Sequence, residues 1–214
     1  METQEPRITW LGHASFRIDG NDAVIYIDPW QLTGTPPKAD IILITHDHHD
    51  HCSPDDVSLI QTDGTVIVTV PPAAAKLSGT VTTVAPGDEV TVAGVHVTAV
   101  PAYNTNKYRS PGVHFHPREA RYVGFIATVD GTRIYHTGDS DPIPEMDGVE
   151  TDIALVPVSG IYVMTAEEAA EATERIRPKK VIPMHIGRGI GDMADATRFR
   201  DICSVPVTVL SMEK

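Results

Sequence analysis

Thr45-His46-Asp47-His48-His49-Asp50-His51 places four histidines and two aspartates at the end of a largely apolar run, Ala39 to Thr45, that reads as a strand. In an extended segment side chains two apart point the same way, so His46 and His48 can converge on one cation while a following turn aims Asp50 and His51 at a second. A solvated histidine run would not be interrupted by acids at fixed places, nor sit where a strand gives way to a helix. That helix is announced by Ser53-Pro54-Asp55-Asp56: a serine N-cap, a proline in the first turn, and acids facing the positive end. It is expected to run to about Thr62.

Working outward, Ile8 to Leu11, Ala14 to Asp19 and Ala23 to Asp28 are short, rich in β-branched residues and separated by Gly, Asn and Pro, as strands are. Downstream, Thr65 to Val70 reads as a strand and Pro72 to Leu77 as a short helix; Val81 to Val84, Glu89 to Val92 and Val95 to Val100 alternate like hairpins or sheet edges. Asn104 to Arg121 fits neither period. It holds Lys107, Arg109, Arg118, Arg121, two prolines and the triplet His114-Phe115-His116, and is expected to be a functional loop overhanging the site.

Strands resume at Tyr122 to Val129, Arg133 to His136 and Asp152 to Val156. Thr165-Ala166-Glu167-Glu168 matches a capping box that opens a helix to about Arg177, stopped by Pro178. Lys180 to Met184 is a strand ending at His185, Ala194 to Cys203 a helix, and Pro206 to Leu210 a last strand. Many strands followed by strand and helix in alternation point to an α+β chain, a sheet sandwich with helices packed outside.

The 214 residues, 41% of them hydrophobic, suffice for one core, and no composition break divides them, so 1–214 is read as one domain. No stretch approaches the roughly 18 apolar residues of a membrane span, and Met1 to Arg7 is polar with no signal region behind it. The expectation is a cytoplasmic protein without a membrane partner. Cys52 and Cys203 are read as free thiols. A formal charge of −12 disfavours nucleic acid as a partner.

His46-x-His48-x-Asp50-His51 resembles the signature of the metallo-β-lactamase superfamily, whose fold is a four-layer αββα sandwich of two mixed sheets faced by helices. Asp28, Gly138-Asp139 and His185 follow in the matching order, so the resemblance covers nearly the whole chain. Trp10-Leu11-Gly12-His13-Ala14-Ser15 resembles the opening of the branch that contains ascorbate-6-phosphate lactonase and N-acyl-phosphatidylethanolamine phospholipase D. The resemblance implies two divalent cations, zinc first, with Mn2+, Mg2+ or Fe2+ as alternatives. It implies His46 and His48 as ligands of one, Asp50, His51 and His185 as ligands of the other, and Asp139 as a bridge between them. Asp28 would support the histidine loop from behind. His13 would lie near the site, either hydrogen-bonding to it or packed as a core histidine. His49 is expected to face away, and His96 and His136 to be packed or hydrogen-bonded within strands.

One departure stands out. The superfamily supplies a third histidine to the first cation from the end of the strand that here is Val95 to Pro101, and this chain has Ala102-Tyr103-Asn104 instead. Either Asn104 ligates through its amide oxygen, or His114 or His116 folds back from the loop, or the first position binds weakly; His116 is the preferred reading. An amide oxygen would loosen the preference for zinc and admit manganese or magnesium. Asn104, Lys107 and His116 are also the candidate substrate contacts. Four of the 17 basic residues lie in this loop, where they either capture an anionic group or merely solvate the segment.

The expected activity is hydrolysis of an ester, lactone, amide or phosphoester bond in a small anionic substrate by a metal-bound hydroxide, with Asp50 holding the nucleophile and moving its proton. The rival readings are a nuclease of the same superfamily, a non-hydrolytic iron protein, and a metal-binding protein without catalysis. Iron relatives tend to carry Glu where His48 stands, and a flavin domain absent from this chain.

Overall fold

The computed structural model describes residues 5–213, so residues 1–4 of the polar N-terminal stretch, and residue 214, lie outside it. Strands β1 (Arg7–Gly12), β2 (Ser15–Asp19), β3 (Val24–Ile27), β4 (Ile41–Ile44), β5 (Val66–Thr69) and β6 (Thr80–Thr83) form a six-stranded sheet in sequential order. β1 to β3 are an antiparallel meander; from β3 to β6 the pairing is parallel, with helices α1 (Pro54–Ile60) and α2 (Pro71–Ala74) in the crossovers. β4 explains why the run before the histidines is apolar throughout: Ile41, Ile42, Leu43 and Ile44 are all fully buried, as in a parallel strand covered on both faces.

The second half holds β7 (Glu89–Val92), β8 (Val95–Pro101), β9 (Tyr108–Ser110), β10 (Val113–His114), β11 (Val123–Val129), β12 (Thr132–His136), β13 (Ile153–Pro157) and β14 (Lys180–Met184). Apart from the small β9–β10 pair these make a second six-stranded sheet, ordered β14-β13-β12-β11-β8-β7. It too joins antiparallel strands, β7 to β12, to parallel ones, β12 to β14. Helix α3 (Ala166–Ile176) packs on β13 and α4 (Met193–Ile202) on β14. Two mixed sheets flanked by helices make the expected αββα sandwich. The carboxyl ends of β4, β12 and β14 deliver the loops that meet at the site, where open α/β sheets bind ligands.

Local signals placed the helices well. The Ser53 hydroxyl accepts from Asp56 N at 3.3 Å, and Thr165 and Glu168 close a reciprocal capping box. α3 stops with Arg177 in the left-handed region, φ 54°, just before Pro178. Two expectations change. Asn104 to Arg121 is not wholly irregular: β9 and β10 pair about Gly112, the Tyr108 and His114 rings stack at 4.5 Å, and a single 3-10 turn follows at Arg118–Ala120. A register shift between Val113 and His114 breaks the alternation that would have revealed the hairpin. Pro206 to Leu210 is not a strand and touches β14 through the bridge Val181↔Val207. Pro206 O accepts from Val181 N (3.0 Å) and Thr208 N donates back to Val181 O (2.9 Å); the next donor on that side of β14 would be Pro183, which has no N–H, so the ladder ends there.

Candidate metal centre

Asp28 follows β3 and governs the loop that leaves β4. Its fully buried carboxylate accepts from Thr45 N (2.8 Å), Thr45 Oγ1 (2.7 Å) and His51 Nδ1 (2.7 Å). A carboxylate only accepts, so His51 donates from Nδ1 and turns Nε2 inward, where a cation would find its lone pair. Thr45, having given its proton to Asp28, accepts from His46 Nδ1 at 2.9 Å. The Nε2 lone pair of His46 therefore also faces inward, and one carboxylate sets both tautomers. Turn bonds from His51 N and Cys52 N to His48 O (3.1 and 2.8 Å) close the loop.

Three imidazoles form one group. His46 Nε2 and His116 Nε2 each lie 3.1 Å from His48 Nδ1. Asp50, His51 and His185 form a second group, with His13 beside them; the ligand-type atoms within each group lie within 4.8 Å of one another. Asp139, just past β12, stands between the groups. Its Oδ2 is 3.3 Å from His116 Nε2 and 3.2 Å from His185 Nε2, and its Oδ1 is 3.3 Å from His51 Nε2. Gly138 makes this approach possible: its φ is +63°, and a Cβ there would stand 2.8 Å from Val123 O.

Among the described residues His51 Nε2, Asp139 Oδ1 and both ring nitrogens of His13 are buried without a hydrogen-bond partner. Each such atom costs about 1–3 kcal/mol unless something satisfies it. Nitrogens 3.1 Å apart are close to the roughly 3.3 Å edge of a tetrahedron with zinc–nitrogen bonds of about 2.0–2.1 Å. The donors, imidazole nitrogens and carboxylate oxygens in two adjoining groups that share Asp139, fit a pair of divalent cations.

Comparison with known proteins agrees. The model of the beta-lactamase superfamily domain matches residues 7–185. The chain belongs to the metallo-β-lactamase superfamily. It is 31% identical to a UPF0173 metal-dependent hydrolase of Thermococcus onnurineus, over 97% of this chain and 96% of that one. With a UPF0173 metal-dependent hydrolase of Methanoculleus marisnigri it shares 35% identity over 84% of this chain and 80% of the other. Among solved structures, a proposed metal-dependent hydrolase from Parabacteroides distasonis superposes with a TM-score of 0.84 at 34% identity, covering 97% of this chain and 94% of that one. Igni18, a metallo hydrolase from Ignicoccus hospitalis, gives 0.78 at 25% identity, covering 98% and 96%.

In this member of the metallo-β-lactamase superfamily the structure brings His116, not Asn104 or His114, against His46 and His48. Asn104 is buried behind it. Its Oδ1 accepts from His116 N and Nδ1, both at 2.9 Å, which turns His116 Nε2 toward the group. The Asp141 carboxylate in turn accepts from Thr105 N (2.6 Å) and Asn106 N (3.0 Å), holding the segment that carries Asn104. Lys107 is drawn away from the cavity: its ammonium pairs with Glu168 at 2.7 Å and lies 3.5 Å from Asp141. Arg118 pairs with Glu145 at 2.6 Å. Arg109 lines the cavity, with its guanidinium 5.8 Å above the Phe115 ring.

Two histidines differ from expectation: His49, 86% exposed, does not face away but stands at the cavity with Nδ1 3.5 Å from Asp50 Oδ1, and His96 is not packed within its strand but half-exposed, 3.6 Å from Glu89. His136 is buried within β12, donating from Nε2 to Ala14 O (2.9 Å) while Nδ1 accepts from Gly138 N (3.1 Å).

Burial and mutual repulsion favour the neutral rings of His13, His46, His48 and His116, the form in which an imidazole ligates. Desolvation, with the neighbouring histidines, pushes His116 down to about 4 and His46 well below its ordinary value. Burial would raise Asp50 and Asp139, but the imidazoles around them win and hold both carboxyls below the usual range. His51 is the exception: burial works against its charge, yet Asp139 and Asp28 hold it well above the ordinary value. Divalent cations would take over that balancing role.

Several participants gave no local signal. Ser159 Oγ lies 3.1 Å from His185 Nδ1 and can fix that ring. Tyr122 donates to Asp47 at 2.7 Å, and Lys76 pairs with the same carboxylate at 2.9 Å, bracing the histidine loop from outside. Nothing in the sequence spacing links these partners.

Proposed function

We propose that this chain hydrolyses an ester, lactone or phosphoester bond of a small anionic substrate at two divalent cations, zinc first. His46, His48 and His116 would hold one, Asp50, His51 and His185 the other, with Asp139 shared. The observation that carries the reading is a cavity of about 310 Å³ lined both by the cluster residues His48, Asp50, His116 and Asp139 and by Arg109, Phe115, Tyr162 and Ile190.

Divalent cations bound there would supply Lewis acidity and lower the pKa of water from about 15.7 to about 7. Asp50, ionised and lining the cavity, is placed to take the proton of the attacking water and later return it to the leaving oxygen. Arg109 forms none of the ion pairs that occupy Lys107 and Arg118, so the anion-binding role expected of Lys107 passes to Arg109. Phe115 and Tyr162, in edge contact at 4.6 Å, give the cavity an aromatic wall for the apolar part of the substrate. A net charge of −12 and a cavity of this size speak against a polynucleotide. Free thiols at Cys52 and Cys203 suit a reducing compartment, the cytoplasm.

The test is metal quantification on protein purified without a histidine tag, followed by a panel of carboxylate-bearing esters and lactones and of phosphoesters, with and without added zinc or manganese. Turnover that chelation abolishes and zinc restores, and that His48→Ala removes, is expected. A protein replete in metal that cleaves no member of the panel would overturn the proposal.

A further inference from the structure

We propose that His13 is a nitrogen ligand of the cation held by Asp50, His51 and His185. This rests on the binuclear reading above and adds to it a residue from the turn between β1 and β2.

The backbone holds His13 firmly in an unusual place. Its φ is 54°, a left-handed conformation that non-glycine residues hold at a cost and that clusters at functional sites. Trp10 Nε1 and His185 N both donate to His13 O at 3.0 Å, and His13 N donates to Ile186 O at 3.0 Å. The last two bonds zip the turn to the backbone around His185, a residue of the second group, and set the two rings 4.1 Å apart. The His13 side chain is fully buried, with Trp30 edge-on at 5.1 Å.

The chemistry of the ring then narrows its role. His13 Nε2 lies 3.3 Å from Asp50 Oδ2, yet neither ring nitrogen makes a well-directed hydrogen bond among the described residues. A histidine that merely packed in the core would satisfy at least one nitrogen, as His136 satisfies both. One that merely oriented Asp50 would place its N–H along a bond to that carboxylate. A lone pair aimed into a group that already contains two imidazoles and a carboxylate is what a ligand presents. The two positions would then differ: three imidazoles and Asp139 at the first, three imidazoles with Asp50 and Asp139 at the second. The richer donor set suits an ion that accepts more than four ligands, such as manganese, iron(II) or cobalt.

The experiment titrates zinc and cobalt into metal-free full-length protein against a chromophoric chelator and records the visible cobalt spectrum, for the wild type, His13→Ala and His13→Asn. Asparagine tolerates the left-handed backbone, so the second variant keeps the turn folded if alanine does not. In the wild type two ions bind. In both variants one ion is expected to lose more than the roughly 100-fold that removal of an outer hydrogen-bond partner costs. The cobalt spectrum should change, and added imidazole should restore it in His13→Ala. Two ions bound within about 100-fold of wild-type affinity in a folded variant, or an unchanged spectrum, would overturn the role of His13 alone. Fewer than two ions in the wild type would instead overturn the binuclear reading.

Discussion

Asp28→Asn isolates the acceptor that sets the histidine tautomers. Asn occupies the left-handed backbone at φ 46° as readily as Asp, so the turn itself is not disturbed. Three donors converge on the two oxygens of Asp28, and an amide offers only one oxygen. If the NH2 takes the Oδ2 position, it donates to His51 Nδ1 and Thr45 Oγ1. His51 must then carry its proton on Nε2, and Thr45 must turn its own proton toward His46 Nδ1, which protonates His46 on Nε2 as well. If the NH2 takes the Oδ1 position, it faces Thr45 N–H, a donor against a donor.

Either way outer support is lost, and affinity for the cations should fall about 10–100-fold, or about 1.4–2.7 kcal/mol. In metal-free protein, charge-assisted bonds worth about 1.5–3 kcal/mol each are weakened. A net loss of about 3 kcal/mol would lower the thermal midpoint by roughly 6–12 °C for a chain of this length. Chelator competition measures the first effect and a thermal melt of metal-free protein the second. Affinity within threefold of wild type together with an unmoved midpoint would show that Asp28 does not set the tautomers.

Asn104→Ala removes the acceptor of His116 Nδ1–H and should weaken one cation about 10–100-fold while leaving the other unchanged, as resolved by the same competition titration. Arg109→Ala should raise KM for an anionic substrate about tenfold or more with little change in kcat; Lys107→Ala should leave KM alone and cost about 1 kcal/mol of stability through the Glu168 pair, so steady-state kinetics and melts separate them. Gly138→Ala places a Cβ 2.8 Å from Val123 O in a left-handed backbone, costing about 1–2 kcal/mol for the conformation alone; metal content should fall with stability because Asp139 is displaced.

Much of this architecture could be read before any coordinates. The histidine loop at the end of β4, the Ser53 and Thr165 caps and the Pro178 stop are local patterns that the structure reproduces. The hairpin around Gly112 escaped because its register shift removes the alternation that identifies a strand. The cap of α4 escaped too: Asp192 and Asp195 form a capping box two residues ahead of the helix start inferred at Ala194. Pro206 to Leu210 misled in the opposite sense, since strand-like composition cannot replace a missing N–H on the sheet edge. Lys107 reads in the sequence as available positive charge because its partner Glu168 belongs to a different element, 61 positions away.

The chain alone determined the superfamily, most of the strands and helices along the sequence and the chemical types that gather at the centre, because side-chain period, helix caps and close spacing of ligands act over a few residues. Which histidine joins His46 and His48, which arginine faces the cavity and which carboxylate fixes the tautomers were decided only when the two sheets closed. His116 is held by Asn104, His13 by the backbone at His185, and His51 by Asp28. Those bonds join separate strands and loops, and their strength depends on burial that no single stretch of sequence provides.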